Sequence, residues 1–120
     1  MSIQFSNSET MLSAVSTTTT SEIWDVSKRQ LLSVEFVANT YSSGSGTFSI
    51  SASNDGVNFV SNIGFIDAVS TTPTTLVTQK AVTATATPAM AIIDPSFRYI
   101  KVTCTVAGTG TYSAYMQNKG

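Results

Sequence analysis

The chain of 120 residues contains no histidine and a single cysteine, Cys104. Without histidine the usual general base near neutral pH is missing, and with it go the Ser-His-Asp and Cys-His constellations and the commonest metal ligand. One cysteine closes no internal disulfide, and alone it cannot build a zinc site. Cys104 falls on the inward side of an alternating run and reads as a small core residue. Charge is scarce as well, at 11% of the chain against roughly 25% in an average soluble protein. The net charge is -1 and the pI about 5.0, and the six Lys and Arg residues are scattered except for Lys28-Arg29. No basic field is available to hold a phosphate backbone, so nucleic acid is not an expected partner. Long apolar runs are also missing. Nowhere do about 18 apolar residues stand together, and the opening MSIQFSNSETMLSAV lacks the basic start and apolar stretch of a secretory signal, so neither a membrane span nor a signal peptide is expected.

What fills the chain instead is serine and threonine, roughly a third of it, among 42% hydrophobic residues. Threonine suits a pleated surface and is a poor helix former, and no stretch keeps a helical period over a useful length. The composition predicts an all-β domain. The clearest single stretch is Thr47 to Phe59, TFSISASNDGVNF, in which Phe48, Ile50 and Ala52 alternate with Ser49, Ser51 and Ser53. Asn54-Asp55-Gly56 then supplies turn chemistry, so the stretch predicts a β-hairpin with Val57 to Val60 as its return strand and Phe59 as a core anchor. Its expected partner is Phe97 to Val106, with Ile100, Val102, Cys104 and Val106 on one face.

Taken in order, residues Met1 to Thr10 read as a polar arm carrying Ile3 and Phe5, and residues 11–120 as one domain. Met11 to Val15 reads as a first strand, and Glu22 to Ser27 (EIWDVS) as a short strand end. Leu31 to Ala38 reads as a firm strand with Leu32, Val34, Phe36 and Ala38 inward. Asn39 to Gly46 is expected to be a loop, Thr74 to Gln79 and Ala81 to Thr87 strands, and Pro88 to Ser96 a crossing loop that plugs the core. Ala107 to Thr111 reads as a glycine turn closing a last hairpin with Tyr112 to Gln117. About eight strands result, the pattern of an antiparallel β-sandwich or jelly-roll-like fold.

Chemistry-bearing clusters are hard to find. Gly44-Ser45-Gly46 and Gly108-Thr109-Gly110 lack the helix and the Gly-Lys-Ser/Thr ending of a phosphate loop and read as turns. The seven acidic residues stand singly, which argues against a carboxylate pair for glycoside chemistry. Asp55, Asp67 and Asp94 lie in turns where calcium is a minor alternative, although no ligand-dense loop is present; no catalytic residue, metal site or cofactor is expected. Tyr41, Tyr99 and Tyr115 fall at loop or outward positions, where an aromatic ring can anchor an interface or stack on a sugar.

The combination TFSISASNDGVNFV, then RYIKV, then a glycine-rich turn and a final strand, resembles two families. One is the discoidin-like (coagulation factor type C) sandwich, with a Ser-x-Asp-Gly-x-x-Trp/Phe hairpin and an Arg-Tyr-Ile/Val-Lys/Arg strand; its terminal cysteines are absent here. The nearer resemblance, over residues 22 to 118, is to small phage virion proteins, which carry a segment like EIWDVS, an NDGxNW/F hairpin (Phe59 standing in for Trp) and a C-terminal strand of the VxGTGTxxAY kind.

That resemblance implies a non-enzymatic virion protein, a head decoration or accessory subunit made in the host cytoplasm. The major capsid protein is its first expected partner and a homo-oligomer is a further one. Interface candidates are Ile3, Phe5, Tyr41, Tyr99 and Tyr115. The alternatives are a carbohydrate-binding module that takes a surface glycan through the tyrosines, and a tail or baseplate component.

Overall fold

The computed structural model describes residues 9–27, 31–68, 76–93 and 96–119. Every regular element among them is a strand: β1 (Glu9–Val15), β2 (Thr19–Thr20), β3 (Trp24–Asp25), β4 (Leu31–Ser53), β5 (Phe65–Asp67), β6 (Leu76–Val77), β7 (Lys80–Val82), β8 (Ala89–Ile93) and β9 (Tyr99–Lys119). All pair antiparallel in one sheet, in the order β1-β9-β4-β8-β5-β6, with β2 and β3 also on β9 and β7 on β4. The fold class read from composition is therefore the observed one. No helix among the described residues is long and apolar enough to cross a membrane.

Two very long strands carry the architecture. β4 and β9 pair from Leu31↔Lys119 to Ser53↔Tyr99. Yet Phe36 and Phe48, both on β4, stack with ring centroids 4.4 Å apart and planes within 8°. In a straight strand residues so far apart in sequence would lie roughly 40 Å from each other. The ladder must therefore fold back on itself. Its halves form two facing layers, one around residues 31–38 and 112–119 extended by β1, β8, β5 and β6, the other around 46–53 and 99–106 extended by β2, β3 and β7.

The fold-back occurs at Gly44 and Gly108, which pair directly. Their φ angles are +79° and +84°, in the region that costs an L side chain about 1 kcal/mol or more. Space is just as restrictive: a Cβ on Gly44 would lie 1.8 Å from the Ala107 carbonyl oxygen, and one on Gly108 would lie 2.5 Å from that of Ser43. Two register shifts in β4, between Ala38 and Thr40 and between Tyr41 and Ser43, add the extra twist that such a bend needs.

Several sequence expectations are corrected here. Asn39 to Gly46 is strand rather than loop, and Ala107 to Thr111 is continuous β9 rather than a hairpin turn. Both are rich in turn formers because the ladder bends there, and the two glycine segments satisfy each other's backbone groups. Pro88 to Ser96 contributes β8, with Ala89, Ala91 and Ile93 inward between β4 and β5. Ala81 to Thr87 supplies only the end of β7. The predicted return strand after Asp55 reduces to one bridge, Ala52↔Val60.

Other readings agree with the structure. Thr47 to Ser53 does pair with the strand that begins near Phe97, and Leu32, Val34, Phe36, Ala38, Phe48, Ile50, Ala52, Ile100, Val102 and Cys104 are all buried. Phe65 meets Phe36 edge-on at 6.1 Å, and Tyr112 meets Phe48 edge-on at 6.4 Å, which completes an aromatic centre between the layers.

Gly44→Ala is expected to destabilise the protein by at least about 2 kcal/mol in urea unfolding, through strain and collision together. Gly64→Ala, whose Cβ would meet nothing closer than 3.7 Å, serves as the control and should change stability by less than about 1 kcal/mol. Equal effects at the two positions would contradict a glycine-dependent bend.

Candidate functional site

The bend creates a cleft on the surface. β4 contributes Thr40, Tyr41 and Ser42, β9 contributes Gly108 to Thr111, and Ser16 comes from the segment after β1, together enclosing about 370 Å3. The register shifts leave Asn39 and Ser42 without a direct partner on β9, and Ser42 is turned to the cleft. Thr40 Oγ1 and Thr111 Oγ1 are 2.8 Å apart and share a hydrogen bond across the ladder. Tyr41 donates its hydroxyl to the Gly44 carbonyl at 2.8 Å. That bond holds the ring against the bend while the residue stays 36% exposed.

Beneath the bend the polar bookkeeping is tight. The buried Ser113 hydroxyl donates to Asn39 Oδ1 at 2.6 Å and accepts the Ala14 amide at 2.8 Å. Ala14 has φ +47° at the irregularity of β1, so one hydroxyl ties the irregular points of two strands that flank β9. Tyr112 is fully buried and its hydroxyl oxygen has no hydrogen-bond partner among the described residues. Burial, followed by the neighbouring Tyr41 and Cys104, pushes its ionisation upward. Its ring lies over Gly46, where a Cβ would come within 2.5 Å of the ring carbons.

The groups with reactive potential are quiet. Burial pushes the Cys104 thiol up to about 11, far from a thiolate at neutral pH. Asp55 accepts the amides of Val57 and Asn58 at 2.9 and 2.8 Å, the Ser53 hydroxyl at 2.8 Å and the Asn58 side-chain amide at 2.8 Å. These bonds, the backbone amides foremost, hold its carboxyl well below the usual carboxylate range. They also explain why Asn54-Asp55-Gly56 curls into a compact turn rather than a two-strand hairpin. Asp67 is buried and accepts a 2.8 Å salt bridge from Lys80. The calcium alternative loses its geometry: Asp55 and Asp67 are engaged separately, Asp94 lies outside the described residues, and no group of three candidate ligands occurs among those described.

The three interface candidates among the described residues lie on separate parts of the molecule. Ile3 and Phe5 lie outside the described residues. Tyr41 sits at the bend. Tyr99 lies at the far end of the other layer, opposite Ser53, roughly 23 Å of strand beyond Gly46. Its half-buried ring is covered by the Gly56 backbone, where a Cβ would be 3.3 Å away, and by the Arg98 guanidinium, 5.2 Å from the ring centroid. Tyr115 is half-buried on the outward side of the first layer, between Glu35 and Thr10. Three separate tyrosines make no joint stacking platform. Phe59, read as a core anchor, is half-buried on the surface with the Lys101 ammonium 4.3 Å above its ring.

One surface escaped the sequence reading. Ile92, Ile66 and Leu76 are direct cross-strand neighbours on β8, β5 and β6, and they face outward. Ile92 is 46% and Leu76 66% exposed, so an aliphatic row runs to β6, the outermost strand of the first layer among the described residues. The available signal was the alternation in Ala89 to Ile93, which puts Ile92 opposite in phase to Ala91 and Ile93.

No family model matches the chain, and no curated protein matches its sequence. Its fold resembles that of the SPBc2 prophage-derived protein YomS. The two align over 99% of this chain and 97% of YomS with a TM-score of 0.73 and 12% sequence identity. The likeness to YomS thus lies in the arrangement of the whole sheet.

The buried hydroxyls at the bend give a paired prediction. Tyr112→Phe should leave stability unchanged or slightly raised, because the hydroxyl it removes is desolvated and unpaired. Ser113→Ala should cost about 1 to 3 kcal/mol by orphaning the Ala14 amide. Thermal unfolding of both variants decides it, and a large loss in Tyr112→Phe would contradict the assignment.

Proposed function

We propose that the chain is a non-enzymatic structural protein of a phage particle, a head decoration or similar accessory subunit that packs against other virion proteins, the major capsid protein first among them. The observation that carries this reading is the end-to-end likeness of its fold to a prophage-derived protein. The chemistry is in keeping: the cysteine is buried, Asp55 is consumed by its own turn, and Asp67 is paired with Lys80. The surface is in keeping as well. The Ile92, Ile66 and Leu76 row is a contiguous apolar strip that ends on β6, the outermost strand among the described residues, a combination that suits packing against another protein or another copy of the chain.

The test is mass spectrometry of gradient-purified particles of the phage whose genome encodes the chain. The chain is expected at a fixed ratio to the major capsid protein. A Leu76→Asp, Ile92→Asp variant, with both changes on exposed positions, should keep the wild-type melting temperature to within a few degrees and be lost from the particles. Particles without the wild-type chain would contradict the structural role, and normal incorporation of the variant would contradict the aliphatic row as its docking surface.

A further inference from the structure

We infer that the cleft at the bend binds a neutral, polyhydroxylated ligand, a saccharide. Its volume of about 370 Å3 falls in the lower part of the range of small-molecule sites. Among the described residues six that bear hydroxyls line it, Ser16, Thr40, Tyr41, Ser42, Thr109 and Thr111, together with Gly108 and Gly110. Among the described residues none that lines it is charged. A wall of this kind has nothing to neutralise a phosphate or a carboxylate, and it selects by hydrogen bonding and shape.

The distribution of protons narrows the ligand further. A hydroxyl offers one proton and two lone pairs. Thr40 and Thr111 spend one proton on each other, which leaves that pair one donor and three lone pairs. Tyr41 spends its proton on the Gly44 carbonyl and keeps only acceptor capacity toward the cleft. These fixed groups therefore offer more lone pairs than protons, and their complement is a ligand that brings several O–H donors.

Tyr41 adds the second half of sugar recognition. Its ring is pinned by its own hydroxyl bond and remains 36% exposed, so it presents an apolar face at little conformational cost. The C–H face of a pyranose ring stacks on such a surface while its hydroxyls reach the threonines. Two of its segments are fixed by the Gly44 and Gly108 crossing, and Ser16 follows directly on the Val15↔Tyr112 pair, which makes the site preformed. It stands apart from the assembly reading, because neither the aliphatic row nor β6 lines it.

The purified chain is screened on a glycan array, and any saccharide that binds is then titrated into 15N-labelled protein. At least one saccharide is expected to bind and to shift the amides of Tyr41, Ser42, Thr109 and Thr111 selectively. Tyr41→Ala should weaken it on the order of tenfold with cooperative unfolding retained, whereas Tyr41→Phe, which keeps the ring and loses its hydroxyl bond, should fall between Tyr41→Ala and the wild type. An array without hits overturns the inference, and so does a hit whose shifts map elsewhere. Spermidine, a donor-rich cation, is run in parallel; stronger shifts from spermidine than from any sugar at these same amides would overturn the ligand class.

Discussion

Gly44 and Gly108 approach so closely that neither position has room for a Cβ, and nearly every other feature of the molecule follows from that contact. Two strands of this length cannot bury both halves of their apolar face while straight, since each half would need a separate covering layer. Folding the ladder at the glycine pair lets one half cover the other, so that Phe36 meets Phe48 and a single pair of strands supplies both walls of its own core. The inward phase is kept through the bend: Leu32, Val34, Phe36 and Ala38 are buried in one half of β4 and Phe48, Ile50 and Ala52 in the other, as are Tyr112, Ala114 and Met116 and then Ile100, Val102 and Cys104 in β9. The short strands β1, β2, β3, β7 and β8 then extend the two walls without setting their orientation.

The same contact shapes the surface. Register shifts that let β4 wrap the outside of the bend expose Ser42 and turn Tyr41 across the glycines, which is how a cleft lined by hydroxyls arises on a protein with few charged residues. Ser113 stabilises this irregular region from below by bonding one irregular residue on each neighbouring strand. The aliphatic row lies at the opposite margin of the first layer, so the molecule keeps an apolar docking strip and a polar cleft on separate parts of its surface.

Much of this was legible in the residues. The alternation of Leu32 to Ala38, of Phe48 to Ala52 and of Ile100 to Cys104 marks the buried faces in their observed phase, and the pairing of the Thr47 and Phe97 strands follows from matching those faces. The bend itself was not legible. Glycine, serine and threonine at 39–46 and 107–111 carry the signature of loops, and only the mutual pairing of the two segments, a long-range fact, turns them into strand. Pro88 and the Asp94-Pro95 pair likewise concealed β8, which spans Ala89–Ile93 between them in sequence. The outward phase of the tyrosines is legible, but their separation depends on the fold-back, and Tyr41 is the one of the three that lines the cleft at the bend.

The central claim is that one ladder doubles over a glycine pair and stacks Phe36 on Phe48. It is tested most directly by a nuclear Overhauser spectrum of protein with selectively protonated phenylalanine rings. The structure predicts strong cross-peaks between the Phe36 and Phe48 rings at their 4.4 Å separation, alongside backbone contacts between Gly44 and Gly108. Backbone contacts from a regular, unbroken strand pair with no cross-peak between the two rings would contradict the account.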